Sequence, residues 1–202
     1  MMDHQETNLI QHKIHPKHPL KQVYKNSKFD CKACKCKGRG FRYRCEKCDF
    51  NIHPICGTGH ESISTFTHPQ HTVQLVQQSI FSDHKCDLCC KTVRGTVYRC
   101  KGCHFYLHPI CSQVPEFLYG HVMHPPHPIR LRLMESKKCD VCNKSCKNWR
   151  YNCEICDVHI HVGCLTVKQK TGGDDDDGGF GDFFDELMVD FAVGALTGGI
   201  SV

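Results

Sequence analysis

One spacing recurs three times in this chain and restricts its fold more than any other feature. Cysteines and a histidine fall at Cys31, Cys34, Cys45, Cys48, His53 and Cys56. They fall again at Cys86, Cys89, Cys100, Cys103, His108 and Cys111, and at Cys139, Cys142, Cys153, Cys156, His161 and Cys164. In every copy 2, 10, 2, 4 and 2 residues separate successive members. First cysteines recur after 55 and then 53 residues, the mark of a repeat array. Two cysteines separated by two residues in a tight turn hold both sulfurs on one side of the backbone, which is the bite a tetrahedral metal needs. A lone Cys-x-x-Cys is as often redox-active; here each copy has two such pairs and a His-x-x-Cys in fixed register.

A second motif precedes each copy: His15-Pro-Lys-His18, His68-Pro-Gln-His71 and His124-Pro-Pro-His127. Its second histidine stands 12, 14 and 11 residues before the first cysteine. His60 and His121 lie near the later motifs as competing donors, whereas His104 and His159 read as surface neighbours of the ligand histidines.

The order His, Cys-x-x-Cys, Cys-x-x-Cys, His-x-x-Cys and a late ligand resembles the zinc domain first known from protein kinase C. The short middle loop and the His-Pro-x-His punctuation resemble its divergent version in plant cysteine/histidine-rich proteins, the divergent C-one domain. The resemblance covers roughly residues 15–168. It implies a small zinc-stabilised fold of short β strands and a short helical turn, with two interleaved Zn2+ sites per repeat. Carried over, copy one uses Cys31, Cys34, His53 and Cys56 for one zinc, and His18, Cys45, Cys48 and His68 for the other. Copy two uses Cys86, Cys89, His108 and Cys111, then His71, Cys100, Cys103 and His124. Copy three uses Cys139, Cys142, His161 and Cys164, then His127, Cys153 and Cys156, with no Cys or His after Cys164 to finish the set. Five or six zincs per chain follow, Asp174 being the nearest candidate for the gap.

The domains expected are zinc repeats at 15–68, 69–124 and 125–168, a disordered segment 1–14, and an acidic tail 169–202. Units of about 55 residues bury little apolar surface, so metal must supply what the core does not. Eighteen cysteines also suit a disulfide framework, but the opening Met-Met-Asp-His-Gln-Glu has no basic-then-apolar leader, and histidines in register have no role in disulfides. A reducing compartment, cytoplasmic or nuclear, is the expectation.

Alternating runs mark strands: Val73 and Leu75; Ile129, Leu131 and Leu133; and the residues before each second cysteine pair, from Phe41, Thr96 and Trp149. Tyr43, Tyr98 and Tyr151 precede the third cysteine identically in each copy, which reads as core. All 26 Lys and Arg lie at or before Lys170, while eight of the 21 acids lie after it, so a basic body precedes the acidic tail. Lys35, Lys37, Arg39, Arg42 and Arg44 with Phe41 form the best candidate patch for nucleic acid or an acidic partner. Residues 180–197 place Phe183, Phe184, Leu187, Met188 and Phe191 at helical spacing, an amphipathic helix too short and Gly-rich to span a bilayer. Cys36, Cys90 and Cys146 fall outside the ligand register and read as packed or idle thiols.

The sequence carries no Ser-His-Asp arrangement, P-loop or dinucleotide loop. The expected function is a non-enzymatic zinc-binding interaction or adaptor protein, which the resemblance places in plant stress, defence or hormone signalling, with unknown protein partners. RNA or DNA binding through the basic body is the alternative. Lipid second-messenger (diacylglycerol) binding is disfavoured because the ten-residue loops lack the longer, Pro/Gly/Gln-bearing lip of lipid-binding relatives. A histone-reader assignment fails for want of another Cys-x-x-Cys after each copy, and a disulfide reductase for want of a thioredoxin domain.

Overall fold

Short alternating segments, interrupted by metal-binding turns, pair into one small antiparallel sheet per repeat. The computed structural model describes residues 9–146 and 148–165. In repeat one, β1 (Leu9–His12), β2 (His15–Asp30), β3 (Lys37–Arg44) and β4 (Asn51–Ile52) lie side by side in that order. Helix α1 (Pro54–Thr58) follows, with its proline in the first turn, where a missing N–H breaks no helical bond. Repeat two pairs β5 (Ser62–Ile63), β6 (Val73–Gln78), β7 (Gly95–Arg99) and β8 (Tyr106–Leu107), and ends in a 3-10 turn, Ile110–Gln113. Repeat three pairs β9 (Phe117–Leu118) and β10 (Ile129–Leu133) with β13 (Trp149–Asn152) and β14 (His159–His161). A separate hairpin, β11 (Lys137–Lys138) with β12 (Ser145–Cys146), spans its first cysteine pair, and a 3-10 turn, Val162–Cys164, closes it.

The described residues fall into two compact units, 9–84 with 92–112 and 85–91 with 113–165. Within the segment expected to be disordered, Leu9–His12 is a strand, and Ile10 packs on the core of repeat one. The acidic run Asp174–Asp177 and the expected helix over 180–197 lie outside the described residues.

The core of repeat one is Leu20, Phe29, Ala33, Tyr43 and Ile52 together with Cys31, Cys34, Cys45 and Cys56. Nearly half of those residues are thiols, so apolar packing and metal binding occupy the same volume. Tyr43, Tyr98 and Tyr151 are all buried, as their identical placement implies. The Tyr98 hydroxyl donates to the His60 carbonyl (2.8 Å), and the Tyr151 hydroxyl donates to that of Pro115. Burial holds both phenols above their usual range. Tyr98 and Tyr151 thereby tie an earlier segment of chain to the middle of their sheets.

Two arginines do an unexpected job. Arg42, which the sequence places in a basic surface patch, is only 4% exposed. β2 bulges between Lys25 and Lys28, and the Arg42 guanidinium donates to the carbonyls of Lys25 (2.7 Å) and Ser27. It lies 4.3 Å from the centroid of Phe29. Arg150 in repeat three is 1% exposed and donates to the Glu135 carbonyl at 2.6 Å. Val97 takes the matching position in repeat two. Both arginines satisfy backbone carbonyls that no strand partner takes, which in repeat one the bulge leaves over.

The residue following the first Cys-x-x-Cys adopts a left-handed backbone in every repeat: Lys35 (φ 62°), Cys90 (φ 60°) and Asn143 (φ 57°). The turn bends the chain back so that Lys35, Cys90 and Asn143 donate their N–H to the carbonyls of Cys31, Cys86 and Cys139. Asparagine tolerates this region, but lysine and cysteine carry a penalty of roughly 1 kcal/mol. Cys90 is therefore a turn residue. Cys146, fully buried, has its thiol pushed up to about 12, first by burial, and Cys36 is half-buried with its thiol 3.6 Å from the Cys34 carbonyl. Cys90→Gly and Lys35→Gly should each raise stability by about 0.5–1 kcal/mol in chemical unfolding, and Asn143→Gly by less.

Within the first unit, repeats one and two meet at a close backbone contact. Thr96 N–H donates to the Ala33 carbonyl at 2.9 Å. Gly95 beside it has φ +66°, and a Cβ there would stand 2.1 Å from that oxygen. Gly95→Ala should separate the two repeats, seen as faster amide exchange at Thr96 while each repeat keeps its zinc.

Candidate metal centres

Each first cysteine pair is presented by the turn just described, and each His-x-x-Cys by the short helix or 3-10 turn that follows the last strand. The structure brings together Cys31, Cys34, His53 and Cys56 in repeat one, and Cys86, Cys89, His108 and Cys111 in repeat two. In repeat three His161 Nδ1 lies 3.3 Å from Cys142 Sγ and 3.7 Å from Cys164 Sγ, and the His161 N–H points at Cys139 Sγ (3.4 Å). The second site of each repeat takes its other two cysteines and both histidines of the motif before it. These sets are His15, His18, Cys45 and Cys48; His68, His71, Cys100 and Cys103; and His124, His127, Cys153 and Cys156.

The distances match those a tetrahedral zinc imposes. Bonds near 2.3 Å to sulfur and 2.0–2.1 Å to nitrogen give donor–donor edges of about 3.3–3.8 Å. Observed separations are 3.4 Å for Cys34 Sγ to His53 Nδ1, 3.4 Å for Cys48 Sγ to His18 Nδ1, and 3.3 Å for Cys103 Sγ to His71 Nδ1. Cys156 Sγ lies 3.4 Å from His127 Nδ1, and His68 Nε2 lies 3.4 Å from His71 Nδ1. His15 Nε2 and His124 Nε2 are buried and meet no hydrogen-bond partner, as befits atoms facing a cation.

The thiols show why a cation is required. Cys34 is lowered to about 6, first by its hydrogen bond with Cys31, while Cys56 is held well above the usual thiol range, first by Cys31 as well. In repeat three Cys139 is lowered, first by Cys164, and Cys164 is raised, first by Cys139. Thiols this close cannot all ionise together; a divalent cation at the centre lets every sulfur bind as thiolate.

Supporting contacts fix the rings. His108 Nε2–H donates to the Thr92 carbonyl (3.3 Å) and His161 Nε2–H to that of Ser145 (3.1 Å), which leaves Nδ1 for the metal. His15 stacks on Phe50 at 4.3 Å between ring centroids, and His68 stacks on Phe105 at 4.4 Å. Lys47 N–H and Cys156 N–H each point at the sulfur of the cysteine opening their pair, Cys45 and Cys153, at 3.3 Å.

Three expectations are corrected. His68 does not finish copy one, nor His124 copy two; each joins the repeat that follows it. Copy three lacks nothing, because His124 and His127 supply both nitrogens, so Asp174 has no vacancy to fill. His15 is a ligand that the sequence reading missed. The signal was available: three motifs precede three copies, and one histidine pair per copy gives four donors to every site. His159 is also 5% exposed rather than a surface residue; its Nδ1 accepts from Arg150 Nε (3.1 Å).

The sequence pattern of the C1 domain family matches residues 13–57, 66–112 and 123–165. The chain belongs to the C1 domain family. Each C1 match starts ahead of the first motif histidine, in agreement with the ligand sets. A 56-residue stretch, 27% of this chain, is 34% identical to a protein of Arabidopsis thaliana described as probable nucleoredoxin 1, of whose length the match spans 10%. No solved structure matches the chain. In these C1 repeats the donors fit zinc, which would bind as a closed structural ion.

Native mass spectrometry should count six zincs on the full chain and six after removal of residues 171–202. His15→Ala should loosen repeat one, whereas His68→Ala and His71→Ala should both loosen repeat two in amide exchange, with one zinc lost from each variant.

Proposed function

We propose that this chain is a non-catalytic interaction protein whose zincs hold three binding surfaces in shape. The observation that carries the reading is the donor count: each site has four protein ligands, so a bound zinc has no open position for water or substrate. The charge left on the two site types agrees with a scaffold role. Three thiolates and a histidine leave a zinc at −1, and two of each leave it neutral, so the lysines and arginines of the surface keep a basic excess for partners. The likeness to a nucleoredoxin is confined to about one repeat in length, and the cysteine pairs here are arranged as metal ligands, which favours shape over disulfide chemistry. Ligation by thiolates requires a reducing compartment, cytoplasmic or nuclear. Signalling in stress, defence or hormone response is the setting proposed, with protein partners.

X-ray absorption at the zinc edge should show only sulfur and nitrogen neighbours, and a chelator should abolish both cooperative unfolding and capture of partners from native tissue. An oxygen neighbour with zinc-dependent hydrolysis would overturn the reading. Captured material that vanishes on nuclease treatment would replace protein partners with RNA or DNA.

A further inference from the structure

Repeat one carries a cleft of about 360 Å³ on one face of its sheet, lined by Lys25, Lys28, Lys32, Arg42, Arg44 and Asn51, with Ser27, Phe29, Asp30 and Asp49. Strand register explains why its cations converge. In β3, Arg42 and Arg44 are two apart and point to the same face, and Asn51 of β4 pairs with Arg44. Lys25 pairs with Gly40 and so shares that face, Lys28 pairs with Arg39 beyond the bulge and reaches the cleft from its edge, and Lys32 follows from the first metal-binding turn. Five cations thus meet two carboxylates. One of those, Asp49, already accepts from Asn51 Nδ2 at 3.3 Å. Among the described residues Lys25, Lys28, Lys32 and Arg44 form no ion pair, whereas nearby Lys21 is matched to Glu46 at 3.7 Å. Arg42 is the buried floor of the cleft, fixed by the bulge carbonyls and by Phe29.

We propose that this cleft binds a compact, multiply phosphorylated anion, either a free small molecule or the same group as a lipid headgroup. Each phosphate monoester brings a charge of about −1.5 to −2 and three acceptor oxygens, so the excess of cations matches more than one phosphate. The volume lies within the range of small-ligand sites, roughly 300–1,000 Å³. The aromatic residues decide against nucleic acid. Tyr24 and Phe41, paired in register and 4.9 Å apart, lie on the opposite face of the sheet from Arg42 and Arg44. Phe29, the ring inside the cleft, is 8% exposed and covered by Arg42, so no base can stack there. Repeat two has Val97 in place of Arg42, so it lacks this charged floor.

The test is a titration of the zinc-loaded full chain, labelled with nitrogen-15, using inositol 1,4,5-trisphosphate. Saturable shifts should be confined to amides around Lys25–Lys32 and Arg44–Asn51. Lys28→Glu with Lys32→Glu should weaken binding at least tenfold while zinc count and the remaining amide spectrum stay unchanged. Vesicles carrying phosphatidylinositol 4,5-bisphosphate distinguish the sources: binding tighter than to the free headgroup assigns a lipid, and equal or weaker binding assigns the soluble molecule. Shifts spread over all basic surfaces, an unaffected double variant, or tighter binding of oligo-dT or of a phosphoserine peptide would overturn the proposal. Loss of zinc in the double variant would be a failure of the fold, and Arg44→Gln, outside the metal-binding turn, then decides: affinity unchanged in that variant overturns the proposal.

Discussion

Everything in this molecule depends on four donors from two distant stretches of chain converging on one cation. In repeat one the first site joins residues 31 and 34 to 53 and 56, while the second joins 15 and 18 to 45 and 48. The two closures overlap along the sequence, so neither stretch leaves without breaking a metal site. Structural zinc in finger peptides contributes roughly 10–16 kcal/mol, more than a core of about five apolar side chains is expected to supply alone. That is why most of the strands need only two to six residues, and why the buried thiols outnumber any one apolar residue type in the core.

The sequence shows the chemistry more clearly than the wiring. Alternating runs placed the strands and fixed cysteine spacing placed both kinds of ligand pair, because a turn with a two-residue bite has one geometry that serves a metal. The second histidine of each motif was legible for the same reason. The error lay in the first histidine. Spacing alone allows His68 to reach back to Cys45 and Cys48 or forward to Cys100 and Cys103, and a family order ending in a late ligand favoured the former. The stacking of His68 on Phe105, and of His15 on Phe50, decides the direction, and that contact appears only once β4 and β8 are folded.

Arg42 was misread for a related reason. Charge in a loop rich in lysine reads as solvated surface, since burying a guanidinium is costly without acceptors. The acceptors are backbone carbonyls freed by a bulge, and a bulge leaves no compositional mark. Cys90 illustrates the opposite case. It looked like a surplus thiol, but its position directly after Cys89 is the one where the turn requires a left-handed backbone, and Lys35 and Asn143 occupy it elsewhere.

The direction in which the paired histidines bind has a consequence for how such chains arise. A repeat whose eight ligands all lie within its own segment can be duplicated, deleted or moved between genes without disturbing a neighbour's coordination. Had His68 bound backward, every copy would have depended on the next, and the last copy in any array would have been defective. Self-contained metal sites make the length of the array free to vary, and leave divergence to the surfaces between the sites.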